Sequence, residues 1–328
     1  MFSTILEQLP DNFRIFPFNM LPDTFGQHPS GHIVSTPSKT LTVSHTDGHH
    51  REGEEEDNMG HPILSVGLPV TSKGYQDSQQ VFESLGQMAC GLPPDPGCVV
   101  IQVAINEDDP LLCSLSQAWF ESALGGHCVV RVRHVGPFPE GNFPAYRVYN
   151  QLVDWARQEF PTLQYFVLLG DDVRISHNDW LPSLQDAFAD IATHMASLDP
   201  LHRCPQDFWH GFGVVALRDV SSAGFPTFPV VHRRHLELQE GGAFCPPEFF
   251  NQDADPWVWQ LYRPFQACRW LSPGPELHNG RGGAHEDPRY QRQHVPRWRH
   301  ELLLRTRWVL EFFFYSMHTW LTQQQKNK

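Results

Sequence analysis

From about residue 94 onward, apolar runs alternate with amphipathic stretches. Cys98–Asn106 reads CVVIQVAIN, a short apolar run rich in β-branched residues, which predicts a buried strand. HCVVRVRHV (His127–Val135), QYFVLLGDD (Gln164–Asp172) and FWHGFGVVALRD (208–219) read as further strands. Between them, LLCSLSQAWFESAL, PAYRVYNQLVDWARQEF and WLPSLQDAFADIATHM carry helical periodicity. The second of these puts Tyr146, Tyr149, Val153, Ala156 and Phe160 on one face. Strands alternating with helices predict an α/β domain, Rossmann-like, with a mainly parallel sheet covered on both faces. In such sheets ligands bind outside the carboxyl ends of the strands. Asp171 and Asp172 stand at such an end.

The first ninety or so residues have a different texture. HPSGHIVSTPSKT and TDGHHREGEEEDNMGHP are rich in Gly, Pro, Ser, His and acids. Such composition buries too little apolar surface to offset chain entropy. Residues 1–93 are therefore expected to be mostly disordered, with one domain over 94–328. His45, His49 and His50 suit either a polar loop or a metal site. At the other end, WVLEFFFYSMHTWL (Trp308–Leu321) is too short to span a bilayer and holds Glu311 and His318, so it reads as a buried or interface helix.

Charge and cysteine usage narrow the classes. A formal charge of −13 argues against nucleic acid as partner, because phosphate binding needs a basic face. It leaves room for a small anionic ligand bound through a divalent cation. Seven Cys with no CxxC pair indicate neither a disulfide framework nor a zinc module. With no signal peptide and no transmembrane run, the expectation is a soluble, cytoplasmic protein.

The acidic pair in YFVLLGDDVRI allows a definite chemistry. A strand delivers two adjacent carboxylates to a loop, and successive side chains point opposite ways. One is set to face a ligand while the other holds the loop. Mg²⁺ or Mn²⁺ prefers such oxygens and keeps positions open for a diphosphate. A plain turn or helix cap explains the same residues. GDD between apolar flanks also occurs at the metal site of RNA-dependent RNA polymerases. This chain has neither their size nor their charge.

Gly224–Pro273 supplies the second half of the pattern. HRRHLEL is a short arginine-bearing helix, Gly241–Gly242 a turn, and FFNQDADPWVWQLYR an acidic segment opening a helix before CRWL. In this order, roughly residues 97 to 275 resemble the family 2 glycosyltransferases and related GT-A enzymes. The resemblance implies a GT-A fold and sugar transfer from a nucleoside diphosphate to a hydroxyl acceptor on a glycan, protein or small molecule. It places VAINED, with Asn106 and Glu107, near the nucleotide and AYRVYNQL, with Arg147 and Asn150, near the diphosphate or ribose. Asp171 and Asp172 fall at the metal motif, where Gly170 replaces an Asp common in the family, and His278 at a late metal ligand.

An inverting transferase needs a carboxylate to take the proton from the acceptor hydroxyl. Asp253 and Asp255 are the candidates. Asp255 precedes Pro256 and reads as an N-cap with Pro at the first helical position. Asp253 has no such structural role and aligns with the family's acidic motif, so it is the preferred base. His232, Arg233, Arg234 and His235 suit either an acceptor contact or an exposed helix face. Trp257, Trp259 and Trp270 suit either sugar stacking or core. A non-catalytic binding domain of the same fold is the alternative reading.

Overall fold

The computed structural model describes residues 61–280, apart from 96, 127, 139–142, 198–208 and 223, together with 296, 299 and 303. His45, His49, His50 and the Trp308–Leu321 segment lie outside the described residues. Among the described residues the strands are β1 (Leu64–Val70), β2 (Val99–Asn106), β3 (Val129–Val135), β4 (Tyr165–Leu168), β5 (Val173–Ile175), β6 (Val214–Ala216), β7 (Arg218–Asp219), β8 (Pro229–His232), β9 (Cys268–Trp270) and β10 (Glu276–Asn279). The helices are α1 (Ser78–Ala89), α2 (Gln117–Ala123), α3 (Ala145–Glu159), α4 (Leu181–Ser197), α5 (Arg233–Leu238) and α6 (Ala254–Tyr262).

Seven strands form one sheet in the order β3-β2-β1-β4-β8-β6-β9. All its pairings are parallel except the two made by β8. The chain is thus α/β, with a mostly parallel sheet at its centre. β1 to β2 to β3 steps one way across the sheet, and β3 to β4 steps back past β1. Right-handed crossovers then place α1 and α2 on one face and α3 on the other. Contacts fix the faces of α3 and α4. A Cβ on Gly67 would lie 2.3 Å from the Tyr149 ring of α3. Phe188 of α4 meets Tyr165 on the opposite face, with ring centroids 5.5 Å apart.

Two expectations are corrected. Residues 64–89 are not part of a disordered arm: β1 is a central strand and α1 packs beneath it, with Val81, Leu85 and Met88 buried. The compact unit begins at Met59, some thirty-five residues before the expected boundary. Gly67 and Pro69 each have a reason within this strand. Gly67 leaves room for the Tyr149 ring. Its carbonyl accepts from Leu169 N, so the strand's odd-numbered residues turn their polar groups toward β4. Pro69 then lacks the N–H for a further rung, and the β1–β4 pairing ends at Gly67 and Leu168. The sheet parts there, at the carboxyl edge. Also, the 111–124 run forms only the seven-residue α2, capped by Ser116, whose hydroxyl accepts from Trp119 N.

β5, β10 and β7 make a second, three-stranded sheet. It begins directly after Asp172 and joins that turn to the end of β6. Among the described residues no helix is long and apolar enough to cross a membrane.

Candidate functional site

Strand order reverses between β1 and β4, and such a switch point is where open α/β sheets bind ligands. Asp171 and Asp172 lie there. They are the middle residues of a tight turn closed by Val173 N donating to Gly170 O, 3.2 Å. Asp171 is buried. Its Oδ2 accepts from Thr71 N at 3.3 Å, and its carbonyl accepts from Ser84 Oγ at 2.9 Å. Asp172 keeps partial exposure, and its carbonyl accepts from Gly280 N at 3.3 Å. One carboxylate thus holds the loop and the other remains at the rim. A side chain at Gly170 would start 2.8 Å from Asp172 Oδ1, so glycine lets this carboxylate fold back over the turn.

The loop after β1 completes the rim. Asp109, buried, accepts from Ser72 N through Oδ2 and from Leu111 N and Leu112 N through Oδ1. Two carboxylates therefore grip the consecutive amides of Thr71 and Ser72. Lys73 follows, exposed, and is the one lysine between residues 61 and 280. Lys73 escapes prediction because the composition of residues 1–93 points to a disordered arm.

Asn106 and Glu107 sit at the carboxyl end of β2, as expected. Asn106 is nonetheless a clamp: its Oδ1 accepts from Phe138 N and its Nδ2 donates to Phe138 O. Glu107 is exposed. Arg147 and Asn150 are likewise engaged. Arg147 Nε donates to Pro247 O, and its guanidinium lies 5.2 Å from the Phe250 ring centroid. Asn150 Nδ2 donates to Cys245 O while its Oδ1 accepts from Phe244 N and Cys245 N. These two residues bind the loop that carries α6. His278 lies in β10 opposite Arg174, two residues beyond Asp172 in register, with its side chain exposed. β10 thus brings it to the same rim.

The basic cluster is divided. His235 is fully buried, with Nε2 donating to Phe244 O and Nδ1 accepting from the Tyr262 phenol, both 2.7 Å. His232 caps α5 through Nδ1, and burial pushes its pKa down to about 4, aided by His210, Arg234 and Arg233. Arg233 and Arg234 pair with Glu237. The cluster is a packing element. Trp257 is core, whereas Trp259 and Trp270 form a tilted pair 5.0 Å apart with Trp270 exposed.

The second carboxylate pair departs from expectation in one respect. Helix α6 starts at Ala254, so the N-cap residue is Asp253, not Asp255. Asp253 adopts φ 73°, a left-handed conformation that Asp tolerates better than most residues, and its side chain makes no capping bond. Asp255 lies inside the first turn, still partly accessible. Burial pushes its pKa up to about 7; a hydrogen bond from the Tyr146 hydroxyl opposes this, and the Asp253 charge adds to it. A helix N-terminus favours an anion by about 0.3–1 kcal/mol. A three-unit rise corresponds to roughly 4 kcal/mol, so burial wins over the helix dipole.

Both acidic turns face one edge. α3 follows β3 and so begins at the carboxyl edge of the sheet. Tyr146, in its first turn, bonds Asp255, and Tyr149, one turn on, packs against Gly67 of β1. The α6 turn therefore stands at the same carboxyl edge as Asp171 and Asp172, on the face that α3 covers. Among the described residues no group of three or more His, Cys, Asp or Glu makes a ready metal cage. Asp172 alone of the first pair keeps partial exposure, and Mg²⁺ or Mn²⁺ takes most of its oxygens from phosphate and water. No protein-family model matches the sequence, and no curated protein matches it either.

Proposed function

We propose that this chain is a metal-dependent glycosyltransferase of GT-A type, moving a sugar from a nucleoside diphosphate to a hydroxyl acceptor. The observation that carries the reading is the pairing of two acidic turns at one carboxyl edge, with an anchored pair at the switch point and a second pair on the α3 side.

The roles follow from the surroundings. Asp172, on the turn that Asp171 anchors, is the residue placed to hold Mg²⁺ or Mn²⁺, with His278 on the neighbouring strand. A cation held there would neutralise charge on the diphosphate. Lys73 adds a fixed positive charge from the β1 loop. Asn106, Arg147 and Asn150 hold loops and leave ligand contact to others. Asp255 replaces Asp253 as the preferred base. Its carboxyl titrates near neutral pH, where a base both is ionised and binds a proton strongly. It takes the acceptor hydroxyl proton as that oxygen attacks the anomeric carbon. The bond from that carbon to the diphosphate oxygen breaks, and the nucleoside diphosphate departs.

A panel of nucleotide sugars with Mn²⁺ tests this directly. At least one donor should raise the melting temperature only when metal is present, and should be hydrolysed slowly without acceptor. Stabilisation without any hydrolysis or transfer, over all donors and acceptors tried, would leave a binding domain and end the enzymatic reading.

A further inference from the structure

The segment that leads into α6 is held by α3 at several points. Arg157 Nη1 donates to Gly242 O at 3.2 Å, Arg147 Nε to Pro247 O at 3.0 Å and Tyr146 N to Phe250 O at 3.0 Å. Between these, Asn150 Nδ2 donates to Cys245 O at 2.9 Å, and its Oδ1 accepts from Phe244 N at 2.9 Å and Cys245 N at 3.3 Å. All of these bonds end on main-chain atoms of residues 242–250, so they fix the path of the segment whatever its side chains. Asn150 differs from the two arginines. Its amide both donates to and accepts from Cys245, as a residue of a neighbouring strand would, although Phe244 and Cys245 belong to no strand. Both of those residues are buried, so their main-chain groups are costly to leave unpaired. Arg147 is exposed, and water can take its place at Pro247 O. The hold reaches the acidic turn within a few residues. Phe249 packs against Trp257 of α6, with ring centroids 5.6 Å apart, and Trp257 N donates to Asp253 O at 3.1 Å.

We propose that Asn150 is a positioning residue for the acidic α6 turn: by tying Phe244 and Cys245 to α3 it sets where Asp253 and Asp255 stand at the carboxyl edge. This rests on the reading of that turn as the acceptor side, and not on which of its two carboxylates is the base. The Asp171–Asp172 turn is tied instead to Thr71, Ser84 and Gly280. Loss of Asn150 therefore moves one acidic turn and leaves the other in place.

Asn150→Ala removes the whole tie. Asn150→Asp keeps an acceptor for Phe244 N and Cys245 N and loses the donor to Cys245 O; it carries the test if the alanine variant does not fold. In Asn150→Ala, amide hydrogen exchange should quicken about tenfold or more over residues 244–258 and stay at the parent rate over 165–173. Asn150→Asp should fall between. With a donor and acceptor that the parent uses, kcat should drop about tenfold to a hundredfold, the scale of a small misplacement, while donor KM and Mn²⁺-dependent binding of the nucleoside diphosphate stay unchanged. Exchange that quickens only at Phe244 and Cys245, or equally across the sheet, overturns the positioning role. So does an unchanged kcat once the α6 turn has loosened. If the α6 turn loosens as expected in a protein that transfers sugar to no acceptor, the tie stands and the transferase reading falls instead.

Discussion

The two acidic turns are built differently although they read alike in one dimension. The Gly170–Val173 turn is pinned by three separate segments. Thr71 N grips the Asp171 carboxylate, Ser84 Oγ binds its carbonyl, and Gly280 N binds the Asp172 carbonyl. Two of these ties are backbone amides, which keep their charge state at any pH. The α6 turn is approached through Tyr146 N, Arg147 and Asn150 of α3, carries a carboxyl that burial pushes toward its neutral form, and holds Asp253 in a left-handed conformation. The first arrangement suits a carboxylate that must stay ionised and still, as a cation site requires. The second leaves a carboxyl free to exchange a proton near neutral pH. Transfer of a sugar from a diphosphate to a hydroxyl asks for one of each.

The largest expected effect tests the α6 side. Asp255→Asn should cut turnover by about two to four orders of magnitude, the usual scale of general-base help, with donor binding nearly unchanged. Stability should move the other way. The Asp255 pKa in the folded chain, about 7, lies above its ordinary value of 3.8. Between those pH values the folded state holds a proton that the unfolded state has released, so stability falls as pH rises. Asn removes that loss and keeps an acceptor for Tyr146. The variant should therefore melt higher than the parent at pH 7.5 and lose the advantage near pH 4. His232 contributes with the opposite slope, its stability being lost as pH drops from 6.5 toward 4. Equal melting at both pH values would contradict the buried carboxyl. If Asp253→Asn abolishes turnover and Asp255→Asn does not, the base is Asp253 after all.

The switch-point side should respond in binding rather than in turnover alone. Asp172→Asn should weaken Mn²⁺-dependent binding of a nucleoside diphosphate by a factor of about ten or more, equivalent to at least about 1.4 kcal/mol, with the fold intact. Calorimetric titration with and without metal reads this, and an unchanged affinity would take Asp172 out of the site. Lys73→Ala should have a smaller effect, about threefold to tenfold, shrinking as salt is raised because the charge is exposed. A salt-independent loss would point to loop damage instead of lost charge.

The contrast also explains what the sequence could reveal. Alternation of apolar runs and amphipathic helices sufficed for β2, β3, β4, α3 and α4, since each carries its own period. β1 escaped because Gly67 and Pro69 have reasons that lie elsewhere in the fold, in the Tyr149 ring and in the parting of β4. Asp171 and Asp172 were legible from strand-end logic. The burial of Asp255 was not, because its surroundings come from α3, more than a hundred residues away. Arg147 and Asn150 were placed on the correct helix but read as ligand contacts. Helical spacing shows which residues share a face and says nothing of the 244–250 loop that occupies that face.

A last test, in stability alone, asks whether the polar ground around α3 extends beyond the Asp255 turn. Gln102 sits in the middle of β2, fully buried, and neither its Oε1 nor its Nε2 has a partner. In register it stands beside Gly67, so it shares the face on which Tyr149 packs. A buried amide without partners costs about 1–3 kcal/mol, more than ordinary strand packing requires. Gln102→Met keeps length and flexibility and removes the polar atoms. If the residue only fills space, the variant should gain about 1–2 kcal/mol, or roughly 2–8 °C in melting temperature, for a domain of this size. Donor turnover and the Asp255 titration should stay as they were. A loss of stability, or a shift of the Asp255 titration, would mean that Gln102 completes a polar network beneath α3. The α6 turn would then share a buried network with the sheet, and the difference between the two acidic turns would narrow.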